Sequence, residues 1–138
     1  MPVQNIAHEN AKNAFNKIAH ILTNEEHEIQ KKYLSLVRSA DAFIHQCGLL
    51  QTLAFYLSKN KKHHNILTSQ LLEHLGLPHS QNQLIQGYQK LLNKEDSEIM
   101  RKTAQARQYL LWLKRYAEAM IDHDEDAIKE DQNGSAGR

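Results

Sequence analysis

Residues 96–122, DSEIMRKTAQARQYLLWLKRYAEAMID, decide the fold. Ile99, Thr103, Ala106, Leu110, Leu113, Ala117 and Met120 recur every three or four positions, the period that puts side chains on one side of an α-helix. Neither Gly nor Pro interrupts the stretch, and Asp96 or Ser97 is a suitable residue to cap its start. Met100, Leu111, Trp112 and Tyr116 widen the apolar stripe to nearly the full circumference. That pattern predicts a long, mostly buried C-terminal helix, central to its domain or covered by partners.

The same period continues towards the N-terminus. Ala7, Ala11, Ala14, Phe15, Ile18 and Ile21 predict a helix over about 5–22. Thr23 with Glu26 reads as a capping box that opens a second helix over about 24–47, with Ile29, Tyr33, Leu36, Val37, Ala40, Phe43, Ile44 and Cys47 on its apolar side. Gly48 ends or bends it. Leu49, Leu50, Leu53, Ala54 and Leu57 form a short apolar helix, and Ile66, Leu67, Leu71 and Leu75 a fourth over 63–75, stopped by Gly76 and Pro78. Ser80 with Gln83 offers a second capping box before Leu84, Ile85, Tyr88, Leu91 and Leu92. With 5 Gly and 2 Pro in 138 residues, turns are too few for a sandwich or barrel. The expected fold is all-α: a compact single-domain bundle of five or six helices over 1–128, with a disordered tail at 129–138.

Several classes of function are excluded as expectations. No apolar run approaches ~18 residues, so no membrane span is expected, and MPVQNIAHENAKNAF lacks the apolar core of a signal peptide. The one cysteine, Cys47, rules out an internal disulfide and suggests a reducing, cytoplasmic setting, with the thiol in the core. The 9 histidines show no i, i+3 or i, i+4 pair, so no metal site is expected, and most read as solvated imidazoles. Asp122, Asp124, Glu125 and Asp126 lack the glycine and distal glutamate of a calcium loop. No glycine-rich phosphate loop and no nucleophile–base constellation is present. The chain is therefore expected to be no enzyme, with no cofactor and no small-molecule substrate.

The net charge of +1 conceals segregation. Residues 31–62 hold Lys31, Lys32, Arg38, Lys59, Lys61 and Lys62 against Asp41 alone, and residues 101–117 hold Arg101, Lys102, Arg107, Lys114 and Arg115 with no acid. Lys31, Arg38 and His45 recur at seven-residue intervals, which at ~100° per residue returns them to one stripe. Arg107 and Lys114 repeat that interval. Solvated helix faces usually intermix acids with bases, so this bias points to a polyanion partner. Phe55, Tyr56, Tyr109, Trp112 and Tyr116 read as core or interface rather than base-stacking platforms. Two alternatives stay open. One is a helical protein–protein adaptor without RNA binding. The other is a helix-turn-helix DNA-binding protein built on 68–92, where Leu72 is bulky at a slot that is usually small, Asn82 is polar at an apolar slot, Pro78 lengthens the turn and Lys90 is the lone cation.

Two stretches carry a resemblance. Tyr33–Lys59, YLSLVRSADAFIHQCGLLQTLAFYLSK, contains Gly48-Leu49, Thr52-Leu53-Ala54-Phe55 and Ser58-Lys59, and Arg101–Met120 contains Trp112-Leu113-Lys114-Arg115-Tyr116-Ala117. Together they resemble the small α-helical subunit of the Cmr module, the type III-B CRISPR RNA-guided effector complex. That resemblance implies a non-catalytic structural subunit in antiviral defence. Copies of it would stack beside the backbone subunits of the guide-RNA ribonucleoprotein, and its basic face would line the target-RNA channel. Arg38, Lys59, Lys114 and Arg115 match the family positions. Lys31, Lys32, His45, Lys61, Lys62, Arg101, Lys102 and Arg107 join them by charge and helical face.

Overall fold

The computed structural model describes residues 5–121 of the 138. The tail expected at 129–138 and the last residues of the expected domain lie outside them. Six helices follow in order: α1 (Asn5–Asn24), α2 (His27–Cys47), α3 (Leu49–Lys59), α4 (Lys62–His74), α5 (Leu84–Leu92) and α6 (Asp96–Met120). No strand occurs among the described residues.

α6 packs mainly on α1 and α2, and α4 closes the other side of α2. Ala14, Ile18 and Ile21 of α1, Val37, Ala40 and Ile44 of α2, Leu67 and Leu71 of α4, and Ala106, Leu110 and Leu113 of α6 share one buried cluster. A fully buried leucine contributes about 1.5–3 kcal/mol, so this cluster rather than surface pairing holds the helices together. Two of the three buried tyrosines are tied by their hydroxyls: Tyr33 donates to Gln70 Oε1 at 2.6 Å, and Tyr109 to Asn13 Oδ1, whereas the Tyr56 hydroxyl has no partner among the described residues. Tyr88 donates to the Leu50 carbonyl at 3.0 Å.

α6 is less enclosed than its apolar content suggests. Its buried side is Ala106, Tyr109, Leu110, Leu113 and Ala117, while Met100 is 73% exposed and Leu111 47%. Of the extra apolar residues, Met100 and Leu111 therefore lie on the surface, while Trp112 and Tyr116 are half-buried against the edge of the core.

Local signals at helix ends differ from expectation. Thr23 does not cap α2: its hydroxyl turns back to the Ala19 carbonyl at 3.1 Å, and α1 runs on to Asn24. Glu26 and Glu95 occupy the cap positions of α2 and α6 without a side-chain cap bond, so neither Asp96 nor Ser97 serves as the cap. Ser80 donates to Gln83 Oε1 at 2.7 Å, but this closes a turn and α5 begins only at Leu84. Residues 75–83 then separate α4 from α5, longer than the three or four residues of a DNA-reading helix-turn-helix. The small residue that lets those helices approach is Gly87, set against the Pro78 carbonyl and Leu72. Gly48 bends the chain between α2 and α3 at φ 88°, a conformation that favours glycine. Cys47, expected in the core, is exposed, because Gly48 turns the chain away just as the apolar stripe of α2 runs out.

Candidate nucleic-acid interface

The acids that the basic blocks lack in sequence reach them from elsewhere in the fold. Arg107 Nε donates to Asp41 Oδ1 at 2.7 Å and its Nη2 to Oδ2 at 3.4 Å, a two-pronged grip of α6 on α2. Arg38 Nε donates to Glu118 Oε2 at 3.1 Å. These ties, with Cys47 beside Ile99–Arg107 around a shallow pocket, set α2 and α6 antiparallel.

The seam between them carries two facing stripes. Lys31, Arg38 and His45 fall within ~40° on α2, and Arg107, Leu111, Lys114 and Glu118 within ~60° on α6. Arg38 and His45 are exposed; Lys31, Arg107 and Lys114 are half-buried. Half-burial suits long cations, whose stems cover apolar surface while the heads stay wet. Arg115 lies on the adjoining face, lining a groove of about 620 Å³ with Ile6, Asn10, Leu111 and Trp112.

A second cationic cluster forms where α3 turns into α4. Lys59 sits over the Phe55 ring at 5.3 Å from Nζ to the centroid. Lys62 pairs with Glu25 at 3.0 Å and Lys32 with Glu28 at 3.5 Å. The first turn of α4 has no acid, although the positive end of a helix favours one. His63 and His64 stand there with ring centroids 4.3 Å apart. Desolvation, then the charges of His64, Lys32 and Lys61, push His63 down to about 4. Desolvation, then Lys59 and Lys61, lower His64, which is buried against Tyr56. His74, stacked on Tyr109 at 4.0 Å, is lowered by burial and by Lys102. These three depart from the solvated reading of the histidines.

The depressed values have a signed consequence. An unfolded histidine takes up its proton near pH 6.5, whereas folded His63 resists until about 4. The unfolded state therefore binds more protons between those values, and stability falls as pH drops from about 6.5 towards 4. His63→Gln is expected to flatten that fall, which unfolding midpoints at pH 7 and pH 5 would show.

Two predicted site residues are occupied elsewhere. Lys102, its side chain only 15% exposed, donates to the Leu75 carbonyl at 2.9 Å and lies 3.5 Å from Glu98. There it satisfies the carbonyl of Leu75, the residue that caps the C-terminal end of α4. Arg101 pairs with the same Glu98, whose carboxyl both cations hold below its usual range. The fold thus gathers Lys31, Arg38, His45, Arg107 and Lys114 on the seam and Lys32, Lys59, Lys61 and Lys62 at the corner. Arg115 stands beside the seam, while Arg101 and Lys102 are drawn to Glu98. Among the described residues no carboxylate pairs with Lys59, Lys61, Lys114 or Arg115. The Glu28–Lys32 and Glu98–Lys102 pairs were readable from their i, i+4 spacing. Nothing local in the sequence reveals Arg38–Glu118 or Arg107–Asp41.

Among the described residues no three His, Cys, Asp or Glu side chains converge to hold a metal ion, and no helix is long and apolar enough to cross a membrane. The described residues thus form a small all-α bundle that carries two clusters of cationic side chains, one along the α2–α6 seam and one where α3 turns into α4. Residues 6–120 match the family described as CRISPR-associated protein (Cas_Cmr5), and the chain belongs to that family, the small subunit of the type III-B Cmr complex. Its fold is similar to the crystal structure of a CRISPR-associated Cmr5 family protein from Thermus thermophilus. The TM-score is 0.70 at 24% identity, over 84% of this chain and 97% of that one.

Proposed function

We propose that this chain is a non-catalytic structural subunit of a cytoplasmic type III-B CRISPR ribonucleoprotein acting in antiviral defence. It holds the target RNA strand by its phosphates and stacks in several copies beside the backbone subunits that carry the guide RNA. The observation that carries the reading is the placement of Lys114 and Arg115. They lie in the stretch that resembles the family, beside the Arg38 seam, and no described carboxylate neutralises them. Lysine and arginine rows contact phosphates without reading bases, so binding is sequence-tolerant and weak per subunit. Stacked copies add avidity through effective concentration.

Self-association has a physical basis in unlike apolar patches. One is the groove holding Ile6 and Leu111. The other is the surface around Met100, Leu50 and Cys47. Unlike patches favour a head-to-tail contact over a two-fold one.

The test is a panel of fluorescein-labelled 25-nucleotide single-stranded RNAs of unrelated sequence and one DNA duplex, measured by anisotropy at low salt. Similar affinity across the RNAs is expected. No RNA binding would favour the adaptor, and sequence-selective duplex binding would favour the DNA-reading alternative, which the long connection at 75–83 already disfavours.

A further inference from the structure

Two of the arginines best placed to meet phosphate already hold an anion. Arg107 grips Asp41 with Nε and Nη2, the planar fork by which arginine also takes a phosphate. Arg38 holds Glu118 through Nε. Both pairs lie across the α2–α6 seam, between Lys31 and His45 on one side and around Lys114 on the other. Both are open to solvent: side-chain exposures are 43% and 37% for Arg38 and Glu118, and 40% and 35% for Arg107 and Asp41.

Exposure decides what such pairs do. A solvent-exposed ion pair contributes little net stability, because the attraction is spent in high dielectric and two long side chains must be held still. The seam is already closed by Val37, Ala40 and Ile44 against the core that Ala106, Leu110 and Leu113 share. The carboxylates are therefore not needed to join the helices. Their larger effect is on the field outside: each cancels one cation of the stripe at short range, where a strand would meet it.

We infer that Asp41 and Glu118 are built-in phosphate surrogates, which occupy Arg107 and Arg38 until an incoming polyanion strand displaces them. This inference rests on the RNA-binding reading above and adds how that face is tempered. In the free protein the seam is close to neutral at its centre and cationic at Lys114 and Arg115. Loose, isolated phosphates therefore find little to hold. A strand that lies along the seam engages Lys114 and Arg115 first and then exchanges phosphate for carboxylate at Arg38 and Arg107. The exchange needs only side-chain rotation, since all four groups reach solvent.

The test uses the full chain, a 25-nucleotide poly-U RNA and a salt series. Asp41→Asn and Glu118→Gln keep the side-chain shape and remove one negative charge each. Each is expected to tighten binding by about threefold to tenfold at 50 mM salt and to steepen the log–log salt dependence by about 0.7, the value for one more phosphate contact on a single strand. The double variant is expected to exceed either. Glu95→Gln, at the start of α6 away from the seam, serves as the charge-matched control and is expected to change affinity less than twofold. Equal gains from Glu95→Gln would overturn the local mechanism in favour of net charge. Unchanged or weakened binding by both seam variants, with wild-type binding still lost in Arg115→Glu, would overturn the inference alone and make the carboxylates positioning groups. No binding by wild type and variants alike would overturn the RNA reading and this inference with it. Unfolding midpoints within a few degrees of wild type are expected for all three single variants.

Discussion

Changing Arg38, Lys114 and Arg115 together to glutamate is expected to weaken single-stranded RNA binding by at least ~100-fold at 50 mM salt. On the proposed reading, three cations that would meet phosphates become three anions that repel them. The change at Arg38 also sets a carboxylate against Glu118, so the seam turns from near-neutral to acidic at its centre. Stability is expected to change by only ~1 kcal/mol, because Arg38 and Arg115 are exposed, Lys114 is half-buried, and exposed pairs contribute little. Anisotropy titrations read the first effect and thermal melts the second. Retained binding in a folded variant would remove the basic seam from the account.

Gly87→Ala is expected to produce a large loss of stability from a single methyl group. A Cβ at this position would stand 2.0 Å from the Pro78 carbonyl oxygen and 3.0 Å from Leu72 Cδ1. In an open helix the same change would stabilise by about 1 kcal/mol, so the sign of the result is diagnostic. Here the obstacle is backbone, and it has little room to retreat. Leu77 beside it is buried, and Ser69 Oγ donates to the His79 carbonyl at 2.6 Å. Relief requires α5 to move off α4, an overpacking cost of about 2–3 kcal/mol. For a domain of this size that lowers the melting temperature by on the order of 10 °C. An unchanged or raised melting point would mean that α5 and the 75–83 connection are not packed as described.

The long periodic segments were legible because helical spacing is a local property. The apolar residues of 99–120 and of 29–47 identified α6 and α2, and the buried set Val37, Ala40, Ile44, Ala106, Leu110 and Leu113 lies within those stripes. Helix ends were less legible. Thr23, Ser80 and Ser97 all have capping chemistry, but a hydroxyl can equally serve its own helix or a turn, as those of Thr23 and Ser80 do. The apolar circumference of α6 overstates its burial, because Met100 and Leu111 are apolar without being buried. The basic residues were legible as a list and not as a surface. Counting along the chain left Arg38 and Arg107 unopposed. Folding brings Glu118 to the one from 80 positions away and Asp41 to the other from 66. What survives that pairing is a smaller set, Lys59, Lys61, Lys114 and Arg115, and it coincides with the stretches of family resemblance at Lys59, Lys114 and Arg115.

The central claim is that this surface holds RNA through phosphate charge. The salt dependence of wild-type binding tests it most directly. For a 25-nucleotide RNA of arbitrary sequence, log K against log salt between 50 and 300 mM should fall with a slope of about −2 to −4, as expected for three to five phosphate contacts on a single strand. The slope should be the same for poly-U and for a mixed sequence. A slope near zero, or one that changes with sequence, would contradict it.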